Sequence, residues 1–204
     1  MPIEWDIIER ERRVVGEAPR IEPVAFEALS RTDIDAINAV RAGAGAPPVV
    51  DTAPEYMRTM IRHPELFRCQ MDLGTVLYNG EIPPVERELA ILRVAWLCGA
   101  PYEWGQHVGV AYRIGMSAEV VERARQGSQA EGWGEHERAI LAGVEELIDD
   151  KVISDATWAT LAKSWDEAQL IEFPAMVGQY VATAFVQNSL RMRLEGCEEG
   201  LSRR

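Results

Sequence analysis

Apolar residues along this chain recur at helical spacing, and prolines and glycines cut the pattern into segments. Pro54 opens a predicted helix to about Arg62, and Pro64 opens another toward Tyr78 that Asn79-Gly80 ends. After Pro83-Pro84 the apolar positions continue to Cys98, with Gly99 suited to follow the last helical turn. Pro101 starts the next helix, which Gly115 closes. Ser117 is the expected N-cap of a short helix over Ala118 to Arg125. The segment EHERAILAGVEELIDD places Ile140, Leu141, Val144 and Leu147 on one stripe, and Ser154 caps a helix through Leu161. The last element, from about Asp166 to Met192, is apolar on much of its circumference, so burial on several sides is expected. Pro174 should start, kink or divide it. Period-two alternation is absent, and Val49-Val50 is too short for a strand, so the predicted class is all-α.

Residues 1–52 are less regular, and the run Arg41–Pro48 reads as a linker. The expected organisation is therefore an N-terminal arm or helical cap over 1–52 and a helical domain over 53–204.

Composition narrows the partners. A formal charge of −12 repels phosphate backbones and anionic lipid, which argues against nucleic acid and membrane surfaces. An anionic small substrate would need a local positive group, with Arg93 and Arg113 as candidates. The opening MPIEWDIIERERRVV lacks a signal-peptide pattern, and no apolar run approaches the ~20 residues of a spanning helix. Cys69, Cys98 and Cys197 are far apart and odd in number, which fits reduced thiols in a cytoplasm. No pair of cysteines or histidines sits at zinc-ligand spacing, so no metal site is expected.

The chemistry concentrates between Pro84 and Gly115. Glu103 and His107 are four residues apart and share a helix face. On a solvated surface such a pair merely stabilises a helix. Here the apolar neighbours, among them Leu92, Trp96 and Val108, imply burial, where an unpaired charge is costly. A carboxylate beside an imidazole can move protons near neutral pH, with Glu103 as the partner that poises His107. Glu88 on the preceding helix is a second acid or base, or orients His107. Trp104, Tyr102, His136 and Tyr180 are candidate substrate-binding residues, although an aromatic at a helix junction is more often core. His63, just before Pro64, reads as a helix junction.

The run RELAILRVAWLCGAPYEWGQHVGVAYRIG resembles the signature of the carboxymuconolactone decarboxylase family, which includes the alkylhydroperoxidase D-type enzymes. The downstream segments WGEHERAILAGVEELIDD and FPAMVGQYVATAFV are also similar to longer members. The resemblance covers roughly residues 54–192 and implies an alkylhydroperoxidase D-like helical bundle that self-associates as trimers or hexamers. The peroxidase branch carries Cys-x-x-Cys three residues before a histidine. Anchored on His107, those two positions fall on Ala100 and Glu103, and the branch's upstream glutamate falls on Glu88. Both redox cysteines are absent, and Cys98 has no resolving partner nearby. Tyr102, Glu103, Trp104 and His107 look instead like the decarboxylase branch. The resemblance then implies a cofactor-free carboxy-lyase, or a related proton-transfer enzyme, on a small carboxylated lactone-like compound in aromatic-compound catabolism. Two alternatives stand beside it: a peroxidase-related antioxidant protein using Cys98, and a non-enzymatic binding or assembly protein that retains the fold.

Overall fold

A computed structural model describes residues 4–43, 45–195 and 199–203. Cys197 lies outside these residues. Among them there are ten α-helices and one 3-10 turn, Phe26–Ala28, and no strand, as the apolar periodicity predicts. The helices are α1 (Ile7–Val15), α2 (Arg31–Gly43), α3 (Glu55–Met60), α4 (Pro64–Tyr78), α5 (Pro84–Leu97), α6 (Pro101–Arg113), α7 (Ala118–Gln126), α8 (Glu135–Asp149), α9 (Asp155–Leu161) and α10 (Glu167–Leu190).

The hub is α5. Every residue from Arg87 to Leu97 is buried, so this helix has no polar face to give to solvent. One side packs Ile91 and Val94 against Ile140 and Val144 of α8 and Phe173 and Val177 of α10. The other packs Leu92 and Trp96 against Trp104 and Val108 of α6 and Val121 of α7. A third cluster joins Leu29 and Ile37 to Tyr56, Met60, Phe67 and Tyr102, so residues before 52 share a core with those after it.

Several local expectations need correction. The run Arg41–Pro48 is not wholly a linker, because α2 continues to Gly43; Ala44 lies outside the described residues. Pro174 neither starts nor divides α10, which runs unbroken through it. The missing N–H removes one hydrogen bond, but Leu170, Phe173, Met176 and Val177 anchor the helix on both sides of the proline. An Asp166–Gln169 capping box fixes its start. Nor is α10 enclosed on most sides within one chain. Ile171 and Phe185 are 72% and 63% exposed, and the helix enclosed all round is α5. Ser117 occupies the N-cap of α7 without a capping side-chain bond, whereas Ser154 does cap α9. His63 caps α4, its Nδ1 accepting from the Leu66 N–H at 3.3 Å. Among the described residues no helix is long and apolar enough to cross a membrane.

Candidate active site between α5, α6 and α10

The break between α5 and α6 sets the site. Gly99 takes φ +51°, a conformation a side chain would strain, and Pro101 then begins α6. The N-terminal segment locks this corner from outside. Arg10 donates to the carbonyls of Gly99 (2.9 Å) and Cys98 (2.8 Å), and Trp5 Nε1 donates to Trp96 O (2.8 Å). A cation on the terminal carbonyls of α5 is favourably placed in the helix field. The corner folds α6 back along α5, so residues near the middle of each helix meet.

What meets is His107 and Glu88. His107 Nδ1 lies 2.7 Å from Glu88 Oε2, and the Glu88 side chain is fully buried. The sequence reading made Glu103, one turn away, the partner that poises His107 and gave Glu88 the alternative of orienting it. The i,i+4 neighbours share a face, but the carboxylate in contact with the imidazole is Glu88 of α5. With Nδ1–H donated to Glu88, Nε2 is the nitrogen left for a reactant. Arg87 Nε stands 3.5 Å from Glu88 Oε1, and its Nη1 donates to Tyr78 O. Removing one member of such a buried group typically costs ~3–5 kcal/mol, because the partner's charge is left unmatched. The Tyr180 ring meets His107 edge to face, with centroids 5.1 Å apart. Burial first, then the charges of Glu88 and Glu103, pushes the Tyr180 hydroxyl above its ordinary range, so it stays protonated.

Glu103 is 1% exposed, and neither of its carboxyl oxygens has a hydrogen-bond partner. Burial raises its pKa well above that of an ordinary glutamate, with no cation to oppose the shift. Around it stand Tyr56, Cys98 and Tyr180, each pushed upward by burial and then by Glu103 or its neighbour Glu88. The Cys98 thiol rises to about 12. A neutral Glu103 removes its Coulombic part of these shifts and leaves burial as their main cause.

The other candidates fall elsewhere. Tyr102 donates to Glu195 at 2.8 Å within the third cluster. Trp104 is fully buried against Trp96, and its indole N–H reaches Arg203 O at 2.9 Å. His136 pairs with Glu86 at 3.3 Å and stacks edge-on against Trp165, whose N–H also bonds Glu86. Of the four proposed substrate-binding residues, only Tyr180 packs on His107. Arg93 is occupied by Glu145 at 2.8 Å and by Arg125 O, so it is not a free anchor; Arg113 is exposed at the end of α6. Sequence reasoning missed Tyr56, which comes from α3 and carries no local signal, and Arg87, whose only signal was its place beside Glu88. Among the described residues no group of three or more His, Cys, Asp or Glu could hold a metal ion.

Comparison with known proteins places this geometry. The fold is similar to an alkylhydroperoxidase AhpD core, a peroxidase-related protein from Ralstonia eutropha JMP134. The TM-score is 0.72 at 16% identity, covering 87% of this chain and 93% of that one. It is also similar to the debrominase Bmp8, solved as a cysteine-to-alanine variant in complex with 2,3,4-tribromopyrrole. There the TM-score is 0.69 at 18% identity, covering 88% and 94%. A protein of unknown function from Agrobacterium tumefaciens matches with TM-score 0.62 at 18% identity, covering 66% of this chain and 94% of that one. No protein with a curated function matches the sequence. The sequence profile of the carboxymuconolactone decarboxylase family spans residues 64–146, from the start of α4 to the later turns of α8, and so takes in Glu88, Glu103 and His107. Residues 64–146 match the carboxymuconolactone decarboxylase family, and the similar solved structures share the all-helical fold.

Proposed function

We propose that this protein is a cofactor-free proton-transfer enzyme of the carboxy-lyase type, acting on a small carboxylated, lactone-like compound. The observation that carries the reading is the buried His107–Glu88 contact at 2.7 Å, which fixes the imidazole by one nitrogen. In decarboxylation the bond to the leaving carboxylate breaks, its electron pair enters the adjacent unsaturated carbonyl, and carbon dioxide departs. His107, protonated beforehand from solvent, then gives its proton to carbon and is left neutral, with Glu88 steadying the ring while it is charged. The same groups serve isomerisation, with His107 first taking the proton and then giving it back.

A peroxidase reading through Cys98 has little support. Its thiol is pushed up to about 12, and the position one turn before His107 is a glutamate. Dithiol chemistry needs a thiolate and a second thiol to resolve it. Self-association belongs to the same proposal. Ile171 and Phe185 of α10, with Leu66, Leu73 and Val76 of α4, are large apolar side chains exposed on neighbouring helices.

The test is turnover of 4-carboxymuconolactone and related lactone acids, followed by carbon dioxide release and by solvent deuterium entering the product. His107→Gln and Glu88→Gln should each lower kcat by about 10²–10⁴-fold. Turnover that survives both substitutions would sink the assignment, and the buried His107–Glu88–Arg87 group would then be a structural ion network.

A further inference from the structure

We propose that Glu103 and Tyr56 form a two-donor pocket for a carbonyl or enolate oxygen, distinct from the His107–Glu88 pair. This rests on the proton-transfer reading and supplies what that reading lacks, a place for the negative charge that develops on oxygen.

The argument begins with unmatched groups. Buried polar atoms in folded proteins are nearly always hydrogen-bonded, and each exception costs about 1–3 kcal/mol. Here three orphaned oxygens belong to two neighbouring residues: both carboxyl oxygens of Glu103 and the hydroxyl of Tyr56. The residues are 1% and 8% exposed, so bulk water does not meet the deficit. Gln70 and Thr183 come within hydrogen-bonding influence of the Tyr56 hydroxyl, but the well-formed bonds they make are to each other, at 3.2 Å, and from Thr183 onward to Gln179 O. The Glu103 oxygens lack even such neighbours.

The charge balance decides what the pocket accepts. Each neighbouring cation is engaged elsewhere: Arg10 on the carbonyls of Cys98 and Gly99, Arg87 on Glu88 and Tyr78 O, Arg93 on Glu145. Held neutral by burial, the Glu103 carboxyl carries an O–H, as does Tyr56. Two neutral O–H donors in a low-dielectric site suit an oxygen gaining negative charge, because the donors need not reorganise as that charge grows.

Position supports the assignment. Glu103 precedes His107 by one turn on the same face of α6, and Tyr180 is near enough to sense Glu88 and Glu103 while its ring touches His107. Glu103 and His107 therefore share one face of α6, with Tyr180 packed on the imidazole. The proposed entry is from the α3 side. Thr59 and Met60, one turn after Tyr56 on α3, line a groove of about 550 Å³ together with Phe185 and Val186 of α10. The proposed ligand is a small ketone, lactone or enol, whose oxygen would accept from both groups.

The experiment uses 4-cyanophenol and 4-nitrophenol, whose oxygens imitate an enolate, with the full-length protein. Binding is followed by the phenol-to-phenolate absorbance change and by calorimetry. Wild type should bind both. Tyr56→Phe and Glu103→Gln should each weaken binding about tenfold or more, one hydrogen bond's worth, while Cys69→Ser on the exposed face of α4 should leave it unchanged. If Glu103→Gln does not fold, Tyr56→Phe decides alone. Absence of phenol binding to wild type would overturn the pocket, as would binding indifferent to Tyr56→Phe. A single trapped water between the two groups that no phenol displaces would overturn it too. The lactone-acid assay separates the two ideas: turnover lost in His107→Gln beside phenol binding unaffected by Tyr56→Phe sinks the pocket and keeps the proton carrier.

Discussion

Replacing Glu103 with glutamine should make the protein less sensitive to rising pH, and the size of the effect follows from linkage. In the unfolded chain Glu103 titrates as an ordinary glutamate, near 4.5. In the folded protein burial holds on to its proton, so its folded pKa is raised. Above pH 4.5 the unfolded state therefore binds fewer protons than the folded state, and stability falls as pH rises. The slope for one group is about 1.4 kcal/mol per pH unit, and it levels off only where the folded carboxyl itself titrates. Across the roughly two units from about pH 5 to about pH 7, wild type should lose up to about 2.7 kcal/mol relative to Glu103→Gln. Glutamine has the same shape and does not titrate. Its unpartnered amide costs a constant amount that sets the offset between the two proteins and not the slope. Urea unfolding of both proteins at half-unit steps from about pH 4.5 to about pH 8 measures the difference directly, with every other titrating group cancelling. A difference that stays flat with pH, or that favours wild type as pH rises, would show that Glu103 is ionised in the folded state. The donor role assigned to it would then fail.

Cys98 should resist alkylation. Burial pushes its thiol up and leaves little thiolate near neutral pH, so iodoacetamide should label the exposed Cys69 before Cys98, as read by peptide mass spectrometry. Cys98 labelled as fast as Cys69 would contradict the burial. Arg10→Ala should lower stability by about 2 kcal/mol in urea unfolding, since two carbonyls at the end of α5 lose a charged donor; an unchanged midpoint would mean that α1 contributes nothing to the corner. Phe185→Asp should reduce the mass found by light scattering if α10 forms the contact between copies, and an unchanged assembly would place that contact on another face.

How much of this was legible beforehand depends on the range over which each cause acts. Helix ends are local events, and the signals at Pro64, Pro84, Pro101, Gly99 and Ser154 all sit at or next to the observed boundaries. Pro174 misled because the proline penalty is local, whereas the packing that overrides it comes from α5 and α8, far away in sequence. Likewise, the all-round apolar character of α10 does not say whether its outer face meets its own chain or another. The site divides along the same line. Glu103 and His107 share a face by helix periodicity alone, so their proximity could be read from spacing. Which carboxylate bonds the imidazole could not, because it depends on how α6 folds back on α5 at Gly99. That fold brings Glu88, 19 residues away, to 2.7 Å from His107. Glu103 keeps both carboxyl oxygens unpartnered, and Tyr56, proposed to act with it, comes from α3, so no local motif encodes the two together. One pair of glutamates is thereby split by environment. Glu88 is held between Arg87 and His107, whereas Glu103 is enclosed without a partner and burial alone pushes its pKa up. The sequence shows two identical side chains, and only the tertiary surroundings give them different chemistry.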